Sequence, residues 1–546
     1  MKKWGTLAVL SIAQFVMVLD TSVMNVAIGQ LIEDFDTDVT QIQTAITFYS
    51  LVMAAFMLTG AKLGDVWGRR RAFTIGMAVY AAGSALTAVA SSVGILTLGW
   101  SVLEGLGAAL VLPAMAALIA GVYKGAERAL AFGVLGGIAA AGVAVGPIVG
   151  GWVTSNLSWR VVFAGEVVLA LIIIGAVAIG LVRDAKLPGR KPNVDWVGSG
   201  LSAAGLALVV YGALQSSQWG FITPKNSPIE PFGFALTPFV IGAGFLMLYL
   251  FVSWSRRREA NGQDPLFRLA LFDFKPFRSG LSMTLAQQTI LAGTFFALPL
   301  YLQLTLGFDA FDTGVKLLPV SIALLVTSVG GAALMLRYSP RLVVRIALGV
   351  LLVGIGVLLT TIEPTLDGFG FSLALALLGI GIGIMAAILG NLVQSAVGDR
   401  DRSEAGGLQG TAQQLGMALG TAIIGAIVIS SLASSFATQV ATDERIEAGV
   451  SEAVEVSLAG GISFVTAADV RAIIEAGDAD PALTDALVEN YEESQLEAIR
   501  LALFVTTVIV LLSFWLTRQL PTRRVEEIAA DVAGATDDDA DPDDRP

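Results

Sequence analysis

The 546-residue sequence has no cysteine, no histidine and only 14% charged residues. Without cysteine there is no disulfide and no thiolate chemistry. Without histidine there is no imidazole proton relay and no His- or Cys-ligated metal site. A soluble domain carries about 25% charged residues, so water does not solvate most of this chain. No G-x-x-x-x-G-K-[ST] loop occurs, which excludes an ATP-driven pump. The formal net charge of −12 argues against nucleic acid as a partner, because phosphate binding needs clustered Lys and Arg.

What is abundant is apolar. Hydrophobic residues make up 55%, and 60 glycines supply the small side chains that let helices approach closely in lipid. About 20 apolar residues span a bilayer core. Fourteen segments meet that length: 7–29, 42–63, 72–91, 94–118, 130–153, 161–182, 195–215, 236–254, 279–304, 312–335, 341–361, 370–393, 405–431 and 498–517. The expected fold is an all-α polytopic membrane protein of fourteen spans. With the N-terminus inside, 27 of the 33 Lys and Arg residues fall on the cytoplasmic side, as the positive-inside rule requires. Both termini are then cytoplasmic. The first apolar run is too long for a cleaved signal and contains Asp20, so it reads as a retained helix.

Several motifs occur in order. LDTSVMNVAI (19–28) lies in span 1, and GAKLGDVWGRRR (60–71) lies between spans 2 and 3. GVAVGPIVGG (142–151) lies in span 5, and SWRVVF (158–163) leads into span 6. PLFRLALF (265–272), LPLYLQLTLG (298–307) and GVKLLP (314–319) follow. Together they resemble the fourteen-helix drug:proton antiporter branch of the major facilitator superfamily. The resemblance implies two six-helix bundles, 1–183 and 277–517, separated by an inserted helix pair and loop at 184–276. It implies a conformational gate at Asp65, Gly68, Arg69 and Arg70, although positive-inside topology alone also accounts for the arginines. It implies an exporter motif at Gly142, Gly146, Pro147, Gly150 and Gly151, for which a kinked packing helix is the plainer reading.

The distinctive chemistry is acidic. Asp20, Glu104 and Glu166 fall inside expected spans with no base at comparable depth. An intramembrane charge costs at least about 2.5 kcal/mol, so such a carboxyl favours its neutral form until water or a cation reaches it. That behaviour suits proton coupling or cation binding. Span depth puts Asp20 and Glu104 first, with Glu166 third on a more peripheral helix. The plainer readings are a carboxyl bonded to Thr21, Ser22 or Asn25, and for Glu166 an edge residue reaching outside water. The family's R-x-x-Q-G-x-G in span 4 reads SVLEGLGAA (101–109) here, with Ser101 at the arginine position and Glu104 at the glutamine position. In span 13, Gln413 stands where relatives often have arginine.

Asn25, Gln287, Gln288, Phe295, Phe296, Tyr301, Gln409 and Gln413 are candidate substrate lining, or mere links between helices. An acidic external loop at 432–497 and a disordered acidic cytoplasmic tail at 518–546 complete the chain. The expected function is export of hydrophobic compounds, cationic ones included, from a prokaryotic cell across its cytoplasmic membrane in exchange for protons. No cofactor beyond the proton gradient is expected. The expected partners are a small-molecule substrate, protons and membrane lipid, and the unit is a monomer. Export of one endogenous lipid or metabolite, and a sensor or scaffold role, remain open at this stage.

Overall fold

A computed structural model describes residues 2–123, 125–183, 193–331, 334, 337–366, 368–397, 402–447, 449–450, 464–475 and 480–524. Expectations for the tail beyond 524, the basic stretch 184–191 and parts of the 432–497 loop lie outside these residues.

Among the described residues every regular element is helical. Hydrocarbon dictates this, since only a helix satisfies its own backbone groups there within one segment. α1 (Lys2–Val26) and the short α2 (Ile28–Phe35) precede α3 (Val39–Trp67) and α4 (Arg69–Ala88). α5 (Val93–Val122) contains a π-helical stretch at Thr97–Glu104, and α6 (Gly125–Asn156) and α7 (Trp159–Ala178) follow. Next come α8 (Trp196–Trp219), α9 (Thr237–Ala260) and α10 (Lys275–Thr305), the last ending in a π-helical turn at Tyr301–Thr305. α11 (Ala310–Lys316) and α12 (Leu318–Gly330) meet at a 45° bend. The chain continues through α13 (Pro340–Leu359), α14 (Gly368–Ser395), α15 (Arg402–Thr442), α16 (Ala467–Glu475) and α17 (Pro481–Leu516).

Among the described residues twelve helices are long and apolar enough to cross a membrane, or thirteen if the bent α11–α12 pair is one span, against the fourteen expected. The segment that falls short is expected span 3, which is α4. It opens on Arg69–Arg71, and those charges dilute its apolar character. The acidic 432–497 segment, partly helical in its sequence pattern, holds the ends of two long helices. α15 runs on to Thr442 and α17 begins at Pro481, so only 443–480 separates them. At 1.5 Å per residue the 41-residue α15 is roughly 60 Å long, about twice a bilayer core, and projects beyond it. Arg445 ties the projecting ends together, meeting Glu489 at 2.6 Å and Asp443 at 2.8 Å, while Asn490 donates to Asp443 at 2.8 Å.

Glycine sets the closest helix approaches. A Cβ at Gly60 of α3 would sit 2.2 Å from the Ala109 carbonyl of α5. Gly83 of α4 and Gly99 of α5 face each other, each within 3.0 Å of the other's carbonyl when given a Cβ. Gly142, Gly146 and Gly150 seat α6 on Val18, Ser22 and Val23 of α1. α8 and α9 pack on each other, and α8 lies against α3 and α15. Asp195 fixes that pair: it caps α8 through Gly198 N–H at 2.9 Å and accepts the Trp254 indole of α9 at 3.0 Å.

The Gly60 contact predicts that Gly60→Val lowers the melting temperature of the purified protein in detergent by several degrees, in line with about 1–3 kcal/mol for overpacking. Gly133→Val, with open space around it, is the control and leaves the melting temperature unchanged. Equal melting of both variants contradicts the close α3–α5 approach.

Candidate functional site

Asp20 lies on α1, Glu104 at the end of the π-helical stretch of α5, and Glu166 on α7. All three are buried, with at most 1% exposure. One oxygen from each lies within 4.8 Å of the other two. This corrects the expected ranking: Glu166 is neither peripheral nor in reach of outside water, but a full member of the group.

Each acid is held by neutral donors on neighbouring helices. Trp100 Nε1 donates to Asp20 Oδ1 at 2.7 Å. The Trp100 ring stacks on Tyr49 of α3 with centroids 4.6 Å apart and 1° between planes. Tyr80 Oη and Ser84 Oγ donate to Glu166 Oε2 at 2.9 and 3.3 Å, and Thr87 Oγ1 lies 3.2 Å from Glu104 Oε1. The second oxygen of each acid, Asp20 Oδ2, Glu104 Oε2 and Glu166 Oε1, has no hydrogen-bond partner. No lysine or arginine bonds to any of the three among the described residues. Ser101, at the family's arginine position, turns aside and donates to the Ala45 carbonyl at 2.8 Å.

Two ionised carboxylates about 4.8 Å apart repel by roughly 3.5 kcal/mol at an effective dielectric of about 20. Three bare charges cannot share this space, so the group favours at least partial protonation or a bound cation. The donor set is all oxygen, which suits protons or a hard cation and not a soft metal. The Tyr80, Ser84 and Thr87 stripe was legible as polar residues spaced four and three apart on one helix face. Trp100 and Tyr49 carry no such signal.

The π-helical stretch has a visible role. It widens one turn, and Gly83 and Gly99 let α4 and α5 close to backbone contact there, which brings Glu104 against Thr87. With an ordinary side chain at Gly83, a Cβ would lie 2.6 Å from Glu104 Cγ.

The other expected residues divide. Gly68 has φ +94° and turns the chain between α3 and α4, a conformation that favours glycine. Asp65 and Arg69 lie 3.8 Å apart; Arg69 also donates to the Ala117 carbonyl of α5 at 2.9 Å, and Arg70 to the Val177 carbonyl of α7. The loop thus ties the start of α4 to α3, α5 and α7. In the exporter motif, Gly151 packs on the Ala310 carbonyl of α11 and the Pro147 carbonyl approaches Gly314, so this end of α6 seals against α11. Phe311 N–H to Ser155 Oγ at 3.1 Å and Ser321 Oγ to the Val143 carbonyl at 3.3 Å extend the seal. Gln303 adds a clasp, accepting from Gly29 N–H at 2.9 Å and donating to the Val26 carbonyl at 2.7 Å. At the other end of α6, Gly133, Gly136 and Gly137 have open space.

Much of the expected lining is committed to packing. Gln287 donates to the Ile382 carbonyl at 3.2 Å, and the Tyr301 hydroxyl to the Glu363 carbonyl at 2.7 Å. Phe296 is buried, Asn25 bonds within its own helix to the Thr21 carbonyl at 2.8 Å, and Gln409 accepts from Gln394 at 3.2 Å. Gln288, Phe295 and Gln413 are half-buried.

Comparison with known proteins follows the same lines. The pattern of the Major Facilitator Superfamily matches residues 10–421. A probable actinorhodin transporter of Streptomyces coelicolor is 30% identical over 76% of this chain and 70% of its own length. The tetracenomycin C resistance and export protein of Streptomyces glaucescens is 27% identical over 62% of this chain and 60% of its own. The multidrug efflux pump LfrA of Mycolicibacterium smegmatis is 29% identical over 66% and 67%. The chain thus spans about 60–70% of the length of these relatives. Among solved structures, an inward-facing bacterial homolog of the human lysosomal transporter Spinster superposes with TM-score 0.56 at 16% identity, covering 95% of this chain and 98% of its own. A D-xylose-proton symporter gives TM-score 0.54 at 14% identity over 78% and 90%. The chain belongs to the Major Facilitator Superfamily and is a multi-pass membrane transporter, not an enzyme.

Proposed function

We propose that this transporter exports hydrophobic compounds, cationic ones included, across the cytoplasmic membrane of a prokaryotic cell in exchange for protons. The single observation that carries the reading is the group of three buried carboxyls without a basic partner. Such a group gains a proton or a cation at little electrostatic cost and resists holding neither, which is what exchange requires. Relatives named for the export of antibiotics and other drugs support the substrate class. The positive-inside distribution supports cytoplasmic termini.

Alternating access needs two bundles that rock about a seam. We take 1–183 and 277–517 as those bundles, with 184–276 inserted. The contact between α6 and α11 supports a seal between these bundles at the end of α6 away from Gly133. The α3–α15 seam carries an ion pair at the end where the gate loop lies: Lys62 Nζ meets Glu404 Oε1 at 2.9 Å, and Arg268 Nε approaches Glu404 Oε2 at 3.5 Å.

In proteoliposomes under an imposed pH gradient, a panel of lipophilic cationic dyes should include at least one that is transported. Glu104→Gln should cut that flux at least tenfold at equal protein density, and unchanged flux would remove the acid group from coupling. Absence of gradient-driven flux for every compound would favour a sensor or scaffold. For the seam, Lys62→Glu and Glu404→Lys each slow dye efflux several-fold, and the double swap recovers most of the rate. A double variant no better than either single one contradicts a direct pair.

A further inference from the structure

We propose that Trp100 is a positioning residue for Asp20, its indole N–H supplying the donor that holds the carboxyl, with Tyr49 backing it by stacking. The inference rests on the proton-coupled reading above and names the device by which one acid of the group is held.

The geometry is specific. Trp100 is fully buried, and its N–H meets Asp20 Oδ1 at 2.7 Å, the shortest hydrogen bond to any of the three acids. The π-helical stretch Thr97–Glu104 carries both Trp100 and Glu104, so one distorted turn aims a donor at Asp20 and an acid beside it. Tyr49, also buried, lies parallel to the indole and backs it by stacking. Ser101 is committed to the Ala45 carbonyl and cannot serve. The titratable groups facing Asp20 are Glu104 of α5, Glu166 of α7, Tyr49 of α3 and Tyr80 of α4; no base joins them among the described residues.

An indole N–H is neutral. It fixes the rotamer of Asp20 and leaves Asp20 Oδ2 free, yet brings no fixed positive charge that would hold the carboxylate ionised. Asp20 can therefore be reprotonated without breaking an ion pair. An arginine here would keep its charge at every pH.

The test is the pH profile of gradient-driven dye efflux by the full-length protein in proteoliposomes. Trp100→Phe keeps the aromatic stack and removes the donor. Its midpoint should move alkaline by about one pH unit, because a carboxylate that loses a donor holds its proton more tightly. Tyr49→Leu, which removes the stacking ring, should shift the midpoint in the same direction by less, and it serves if Trp100→Phe fails to fold. Superimposable profiles for wild type and both variants, with Asp20→Asn inactive, would overturn the positioning role and leave proton coupling standing. Full gradient-driven flux in Asp20→Asn would instead overturn the coupling reading itself.

Discussion

The rest of the molecule is arranged around a close approach between α4 and α5, because that approach lets three carboxyls be buried together. Gly83 and Gly99 bring the two backbones within van der Waals range, and the π-helical turn at Thr97–Glu104 lets Glu104 swing against Thr87. From there the donors come from two helices, Tyr80, Ser84 and Thr87 on α4 and Trp100 on α5, with Tyr49 of α3 stacked on the Trp100 ring. Buried polar groups left without partners cost more than those satisfied once. The arrangement satisfies one oxygen of each acid and leaves the other free. A site that must gain and lose positive charge needs that unsatisfied capacity.

The same glycine logic links the acids to movement. Gly142, Gly146 and Gly150 press α6 onto α1 along Val18, Ser22 and Val23, the residues that flank Asp20, and Gly151 carries the contact to α11. A change at the acid group is thus one helix away from the seal between the two ends of the chain. The glycines of this motif act here in packing, the first three against α1 and Gly151 against the start of α11.

Fold and site were legible to different degrees in the sequence. Span positions were readable because apolar runs are long and the basic residues segregate. The exception was α4, whose three leading arginines serve the turn at Gly68 and weaken its apolar count. The 432–497 segment was partly helical in its pattern, but where α15 stops and α17 starts was not readable, since helix beyond the bilayer is polar. Asp20, Glu104 and Glu166 stood out singly because charge in an apolar span is rare. Their convergence could not be read, since it depends on the rotation of α7 and on a π-helical turn that residue periodicity does not encode. For the glutamines and aromatics the sequence left two readings open, lining or links between helices, and Gln287 and Tyr301 make the links, to the Ile382 and Glu363 carbonyls.

The central claim is that the three carboxyls trade protons for a bound cation. The most direct measurement is proton release when a transported lipophilic cation binds the purified protein in lightly buffered detergent, followed with a pH-indicating dye. The account predicts saturable release of about one proton per cation bound, lost when Asp20, Glu104 and Glu166 are all replaced by their amides. Binding of the cation with no proton release in the wild-type protein would contradict it.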